Sequence, residues 1–147
     1  MKLYSTPEGK YLRDGDFHIG EIYKQHGRLK FEQVENPVVS IVIPVYNQIH
    51  YTYACLVSIL EHTKDVPYEV IIADDVSTDA TEHLSQYAEG LVICRNTTNQ
   101  GFLRNCNNAA RHARGKYIMF LNNDTQVTEN WLSSLCLLYT SPSPRDK

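Results

Sequence analysis

The chain has 147 residues, 42% of them hydrophobic and 21% charged, with a net charge of −3 at neutral pH. That length suits about one domain, and the composition is that of an ordinary globular protein. No run of lysine and arginine offers an electrostatic footprint for nucleic acid, no apolar stretch approaches the roughly 20 residues a membrane span needs, and the N-terminus lacks the apolar core of a signal peptide.

Residues 1–37 are mixed and polar, with Gly9, Gly15, Gly20 and Gly27 interrupting any long pattern. Tyr11-Leu12, Phe17-His18-Ile19 and Leu29-Lys30-Phe31 read as short strands or an extended arm, with no legible role. Glu35-Asn36-Pro37 reads as a boundary turn. From Val38 the texture changes. Val38 to Ile43 is a β-branched run and a buried strand, ending at Pro44-Val45-Tyr46-Asn47. A helix is expected from about Tyr51 to His62, with Cys55, Leu56, Ile59 and Leu60 on one face. A second strand, Tyr68 to Ala73, runs into Asp74-Asp75-Val76-Ser77-Thr78-Asp79.

Asp79 and Glu82 have the spacing of a capping box, which predicts a helix through about Ala88 that Gly90 ends. Leu91 to Cys94 is the third expected strand, Asn96 to Gly101 a polar loop, and Phe102 to Ala113 a helix capped by Gly115. Tyr117 to Leu121, five apolar residues in a row, predicts a strand buried on both faces, which stops on Asn122-Asn123-Asp124. A last helix starts at Thr128 or Glu129 and runs through Leu135. The order βαβαβαβ with short connections predicts an α/β fold, a doubly wound and mainly parallel sheet with helices on both faces. Residues 136–147 continue no pattern, and Pro142 and Pro144 forbid helix there. Their wording reads as one frame of a sequencing adapter, so a non-native tail is expected, a reading that the source nucleotides would test.

The four cysteines, Cys55, Cys94, Cys106 and Cys136, contain no C-x-x-C pair. They read as thiols of a reduced, cytoplasmic protein without disulfides.

Parallel strands point their carboxyl ends one way, so Tyr46-Asn47, Asp74-Asp75 and Asn122-Asn123-Asp124 converge on the edge where open α/β sheets bind ligands. Each piece has a plainer explanation. Asp74-Asp75 could cap a helix, Asn122-Asn123-Asp124-Thr125 could be an Asx-turn, and Tyr46 could be core. Two acidic clusters on adjacent strand ends repel, however, which favours a cation or a donor-rich ligand between them. The glycine-rich dinucleotide fingerprint and the P-loop are both absent. An acidic pair after the second strand is out of place for a phospho-receiver domain, where it would follow the first.

Taken in order and spacing, Val39 to Asn47, Asp74-Asp75-x-Ser77-Thr78-Asp79, Asn99-Gln100-Gly101-Phe102, and Gly115-Lys116-Tyr117 to Asn122-Asn123-Asp124 resemble the family 2 glycosyltransferases, over about Val38 to Leu135. The resemblance implies a GT-A (Rossmann-like) fold, incomplete at the C-terminus. It implies binding of a nucleotide-diphosphate sugar with Mn²⁺ or Mg²⁺, and transfer of the sugar with inversion to a hydroxyl of a glycan or lipid-linked acceptor, in polysaccharide or cell-surface glycan synthesis. By position, Pro44, Val45, Tyr46 and Asn47 would line the nucleoside pocket, with Tyr46 on the base. Asp75 would accept a hydrogen bond from the base and Asp74 would support its loop. Gly101, Phe102 and Asn107 would lie beneath the nucleotide, Asn123 near the ribose, and Asp124 would bind the metal. Val76 stands where the family has glycine. The acceptor-side carboxylate, the base of an inverting transfer, is expected beyond residue 135, so a fragment that binds donor and catalyses little is implied, at the cytoplasmic side or the inner face of a membrane. A non-catalytic nucleotide- or metal-binding module of the same shape is the competing expectation.

Overall fold

The computed structural model describes residues 3–5, 11–13 and 17–140, with side chains from 22 to 135. The proposed tail therefore lies outside the described residues from 141 onward.

Four parallel strands form the sheet that positions everything else: β4 (Val39–Val45), β5 (Tyr68–Asp74), β7 (Val92–Arg95) and β8 (Tyr117–Phe120), in the spatial order β7-β5-β4-β8. The two central strands are buried along almost their whole length. Successive side chains on a strand point to opposite faces. Val39, Ile41, Ile43 and Val45 of β4 and Val70 and Ile72 of β5 face one layer, and Val42, Ile71 and Ala73 face the other. The first layer is filled by α2 (Ile49–His62), which buries Ile49, Tyr53, Cys55, Leu56 and Ile59 at helical spacing. The opposite layer is thinner, with Ala109 of α3 (Phe102–Ala110) against Val42, Ile71 and Ala73. Each fully buried Ile or Leu on α2 contributes roughly 1.5–3 kcal/mol.

Four sequence expectations are corrected. β8 is an edge strand. Tyr117 and Met119 pack against the α2 layer, while Ile118 and Phe120 on the other side are 45% and 50% exposed. An apolar run reads the same on an edge as in a sheet centre, and only strand order separates them. The helix after Asp79 is a 3-10 helix, Ala80–Gln86, kinked at His83, and a short strand β6 (Ala88–Glu89) follows it. α3 ends at Ala110 rather than Ala113, and Gly115 serves a close approach rather than a cap. A Cβ there would lie 2.6 Å from the Ser40 nitrogen, and the Gly115 N–H donates to Ser40 Oγ at 2.8 Å. The last helix, α4, spans Trp131–Thr140, so the backbone stays helical past Leu135.

The N-terminal residues are more than an arm. β1 (Leu3–Ser5) and β2 (Tyr11–Arg13) pair antiparallel, and α1 (Phe17–His26) is a helix where a strand was one expectation. β3 (Leu29–Lys30) pairs parallel with β6. Leu29 and Phe31 are buried in the α2 layer, Tyr23 stacks edge-on against Tyr87, and Tyr53 Oη donates to the Gly27 carbonyl at 2.5 Å. Residues on both sides of Pro37 thus contribute to the α2 layer.

Candidate functional site

The strand order fixes where the site lies. The chain moves from β4 outward through β5 to β7, then returns to the other side of β4 for β8. That reversal is a topological switch point, and ligands of open α/β sheets bind beyond the carboxyl ends of the strands there. β5 and β8 flank β4 rather than each other, so the two acidic clusters are separated by one strand. The repulsion expected between neighbouring strand ends is correspondingly weaker.

On the β5 side Asp74, Asp75 and Asp79 all accept hydrogen bonds from the protein. Asp74, 2% exposed, pairs in register with Arg95 of β7. Arg95 Nη1 donates to its Oδ2 at 2.8 Å, and the Ser77 N–H donates to its Oδ1 at 2.9 Å. Arg95 Nη2 reaches on to the Ser77 carbonyl at 2.9 Å, so one guanidinium closes the loop 74–77. Val76 in that loop has φ +64°, the left-handed region that a β-branched residue avoids. Asp75 is also buried, and its N–H donates to the Val45 carbonyl at 3.0 Å. Its Oδ1 accepts from Asn96 Nδ2 at 2.9 Å and the Gln100 N–H at 2.8 Å, and its Oδ2 from the Gly101 N–H at 3.0 Å. Burial alone would raise its pKa, but the Gln100, Asn96 and Gly101 donors outweigh burial and hold it below the ordinary carboxylate value.

The end of β4 is tied to the same loop. Asn47 and Gln48 both have positive φ, and Asn47 Oδ1 accepts from the N–H groups of Thr78 at 2.7 Å and Asp79 at 3.1 Å. The Asn47 N–H donates to Ser77 Oγ at 2.8 Å. Asp79 caps in two directions: Oδ2 accepts from the Ile49 N–H at 3.2 Å and Oδ1 from the Thr81 N–H at 2.8 Å. Pro44 is half-buried, Val45 is in the core, and Tyr46 is 54% exposed, a ring held out at the strand end.

On the β8 side the turn is docked onto α2. Asn123 Nδ2 donates to Thr52 Oγ1 at 3.1 Å, and the Cys55 thiol points to the Asn122 carbonyl at 3.9 Å. Asp124 is exposed, and no hydrogen-bond donor is paired with it among the described residues. Its charge is felt nearby: burial, then the Asp124 carboxylate, push the Cys55 thiol up to about 12.

The structure thus joins Asn47, Asp74, Asp75 and Gly101 in one hydrogen-bonded assembly and sets Asn123 and Asp124 across β4 from it. Asn107 is exposed on α3, whereas Asn105, two residues earlier, is buried and bonded into the assembly. Arg95, Asn96, Asn105 and Thr52 were not singled out from the sequence. Only Arg95 had a usable signal, as a cation ending the strand beside an acidic pair.

No group of three or more His, Cys, Asp or Glu side chains suited to a metal occurs among the described residues. The protein's share would be the single open carboxylate of Asp124. That fits Mg²⁺ or Mn²⁺, which take one or two carboxylates and complete their shell with phosphates and water. No helix of the described residues is long and apolar enough to cross a membrane.

Residues 40–143 match the family model for glycosyl transferase family 2. A poly(ribitol-phosphate) beta-glucosyltransferase of Bacillus spizizenii is 38% identical over 95 residues, covering 60% of this chain and 15% of its own length. The solved structure of S. aureus TarS in complex with UDP aligns with a TM-score of 0.56 at 25% identity, over 69% of this chain and 32% of that one. A mannosyltransferase of Pyrobaculum calidifontis, solved with GDP-Man and Mn²⁺, aligns with a TM-score of 0.61 at 21% identity, over 87% of this chain and 40% of that one. The sheet and its two helical layers are the GT-A arrangement of these neighbours. The chain spans 34% of the first curated relative's length and 29% of the second's.

Proposed function

The chain belongs to glycosyl transferase family 2, and on that premise we propose that it carries the donor-binding part of an inverting enzyme that moves a sugar from a nucleotide diphosphate to an acceptor hydroxyl in glycan synthesis. One observation carries the reading. At a switch-point crevice the protein holds one carboxylate, Asp75, fixed by three donors, and leaves another, Asp124, open. A buried, oriented acceptor suits a nucleobase, and an exposed, unpaired one suits a cation on a diphosphate. That TarS is solved in complex with UDP supports a nucleotide as the ligand.

In this reading Tyr46 packs against the base, Asp75 accepts a hydrogen bond from it, and Asp74 and Asn47 brace the loop that presents Asp75. Pro44 and Val45 shape the wall behind the base, and Gly101 contributes the N–H that keeps Asp75 in place. Phe102 and Asn107 open α3 below the nucleotide, and Asn123 lies on the ribose side with its amide anchored on Thr52. Asp124 would hold Mn²⁺ or Mg²⁺, which offsets charge on the diphosphate as it leaves. During transfer the acceptor oxygen bonds to the anomeric carbon, the bond from that carbon to the phosphate oxygen breaks, and the hydroxyl proton passes to a base. None of the converging residues is assigned that last role.

Calorimetric titration of the chain with UDP, GDP and dTDP, with and without Mn²⁺, tests the reading. At least one nucleotide should bind more tightly with the metal, and Asp124→Ala should remove the metal-dependent part. No binding by the folded chain, or metal dependence unchanged in Asp124→Ala, overturns it.

A further inference from the structure

We infer that Asn105 is a positioning residue that aims the Asp75 carboxylate, and that it thereby sets how sharply the site tells one nucleobase from another. The inference rests on the donor-binding reading above.

Asn105 lies in the first turn of α3 and is 3% exposed, so both ends of its amide need partners. Nδ2 donates to the Ala73 carbonyl at 2.7 Å, one residue before the end of β5, and Oδ1 accepts from Asn96 Nδ2 at 3.0 Å. The same Asn96 nitrogen donates to Asp75 Oδ1 at 2.9 Å. The polarity of this chain is forced. A backbone carbonyl can only accept, so Asn105 must turn its NH₂ to Ala73 and its oxygen to Asn96, and Asn96 must then show its NH₂ to both Asn105 and an ionised carboxylate. Neither amide can flip without placing oxygen against oxygen.

Asp75 is left with a particular vacancy. A carboxylate has about four acceptor positions. Asn96 and Gln100 take both on Oδ1, and Gly101 takes one on Oδ2, so the free position is on Oδ2. A base with a ring N–H, as in uracil, thymine or guanine, can fill it directly. Cytosine and adenine present a ring acceptor at the equivalent edge. If the Asn96 contact is lost, Oδ1 regains an acceptor position, the carboxylate can rotate, and it can meet an exocyclic amine as readily as a ring N–H.

A purely structural role, tying α3 to β5, would need only the bond from Asn105 to Ala73. Asn96→Ala separates the two roles, because it cuts the link to Asp75 and leaves that tie in place. The experiment titrates the whole chain, the Asn105→Ala variant and the Asn96→Ala variant with UDP, dTDP, GDP, CDP and ADP, with urea unfolding of each in parallel. The unmodified chain should prefer the three nucleotides with a ring N–H. Both variants should lose about tenfold of that preference, the worth of one aimed hydrogen bond to a charged group, while urea unfolding shows each of them still cooperatively folded. Unchanged preference ratios in both variants overturn the inference, as does an unmodified chain that binds nucleotides without discriminating. An unmodified chain that binds no nucleotide overturns the donor-binding reading together with it.

Discussion

At the amino end of the sheet, Glu69 of β5 is buried, and its Oε2 accepts from Ser40 Oγ of β4 at 2.6 Å and from the Arg114 N–H at 2.7 Å. The Arg114 guanidinium adds a bond to Glu69 Oε1 at 3.2 Å and reaches the carbonyls of Val34 and Glu35. At the carboxyl end, Asp74 and Asp75 are satisfied in a similar way, while Asp124 is not. A carboxylate's burial therefore says little about its task, since Glu69 and Asp75 are equally hidden. What separates the ends is that the carboxyl end also carries an exposed carboxylate, Asp124, with no donor paired to it among the described residues. A cavity of about 580 Å³, lined by Lys30, Glu32, Lys64, Asp65 and Tyr68 among others, opens at the amino end, where lysines and carboxylates line it together.

Substitutions can break this comparison, and Glu69→Ala should do most. It strands the buried Ser40 hydroxyl and the Arg114 N–H, and about 3 kcal/mol should be lost in urea unfolding. The same residue gives a pH signature. Burial works against the charged form of Glu69, but the Ser40 hydroxyl and the Arg114 donors outweigh it and lower its pKa. A depressed folded pKa confers stability that is complete above the ordinary Glu value and fades as pH falls towards the folded one. Stability should therefore drop as pH falls below the ordinary Glu value of about 4.3, with a shallower slope in Glu69→Gln. An equal slope in the two would mean that Glu69 is not the amino-end lock.

Gly115→Ala comes next, with about 2 kcal/mol lost because its Cβ meets Ser40 and Val39 backbone rather than a yielding side chain. At the carboxyl end, Val76→Gly should stabilise by about 1 kcal/mol, relieving a left-handed β-branched residue. A loss there instead would show that the loop's geometry depends on the valine side chain. Thr52→Val removes the acceptor of Asn123 and should weaken metal-dependent nucleotide binding by about threefold, a fraction of one neutral hydrogen bond, with metal-free binding unchanged. Smallest of all, Asp124→Ala should change stability in urea unfolding by less than about 0.5 kcal/mol, as expected of an exposed carboxylate with no donor paired to it among the described residues. A large loss would make Asp124 a structural residue like Glu69.

Much of this was legible in the order of residues. β4 and β5 announce themselves because central parallel strands are apolar on both faces, and three polar strand ends follow from parallel topology. β8 misled for the same reason: a local apolar run carries no record of how many neighbours the strand has. The 3-10 helix escaped notice because Asp79 caps it as it would cap an α-helix, and the kink at His83 arises after the cap. Asn105 was illegible because a buried amide in a helix has meaning only through Ala73 and Asn96, which lie 32 and 9 residues away along the chain. Arg95 becomes intelligible only in register with Asp74.

The return of β8 to the side of β4 also sets an order of assembly. β4 and β5 are separated by α2 alone, so the pair that carries Asn47 and Asp75 can form from local contacts soon after both are available. Val39 meets Tyr117 only after the whole intervening chain has been drawn back across the sheet, a slow, long-range closure. On the proposed function, the half of the crevice that would read the base is then assembled before the turn bearing Asp124, once the Asn96 to Gly101 loop has joined Asp75. Metal-enhanced nucleotide binding would report completion of the fold, and binding without the metal only its first stage.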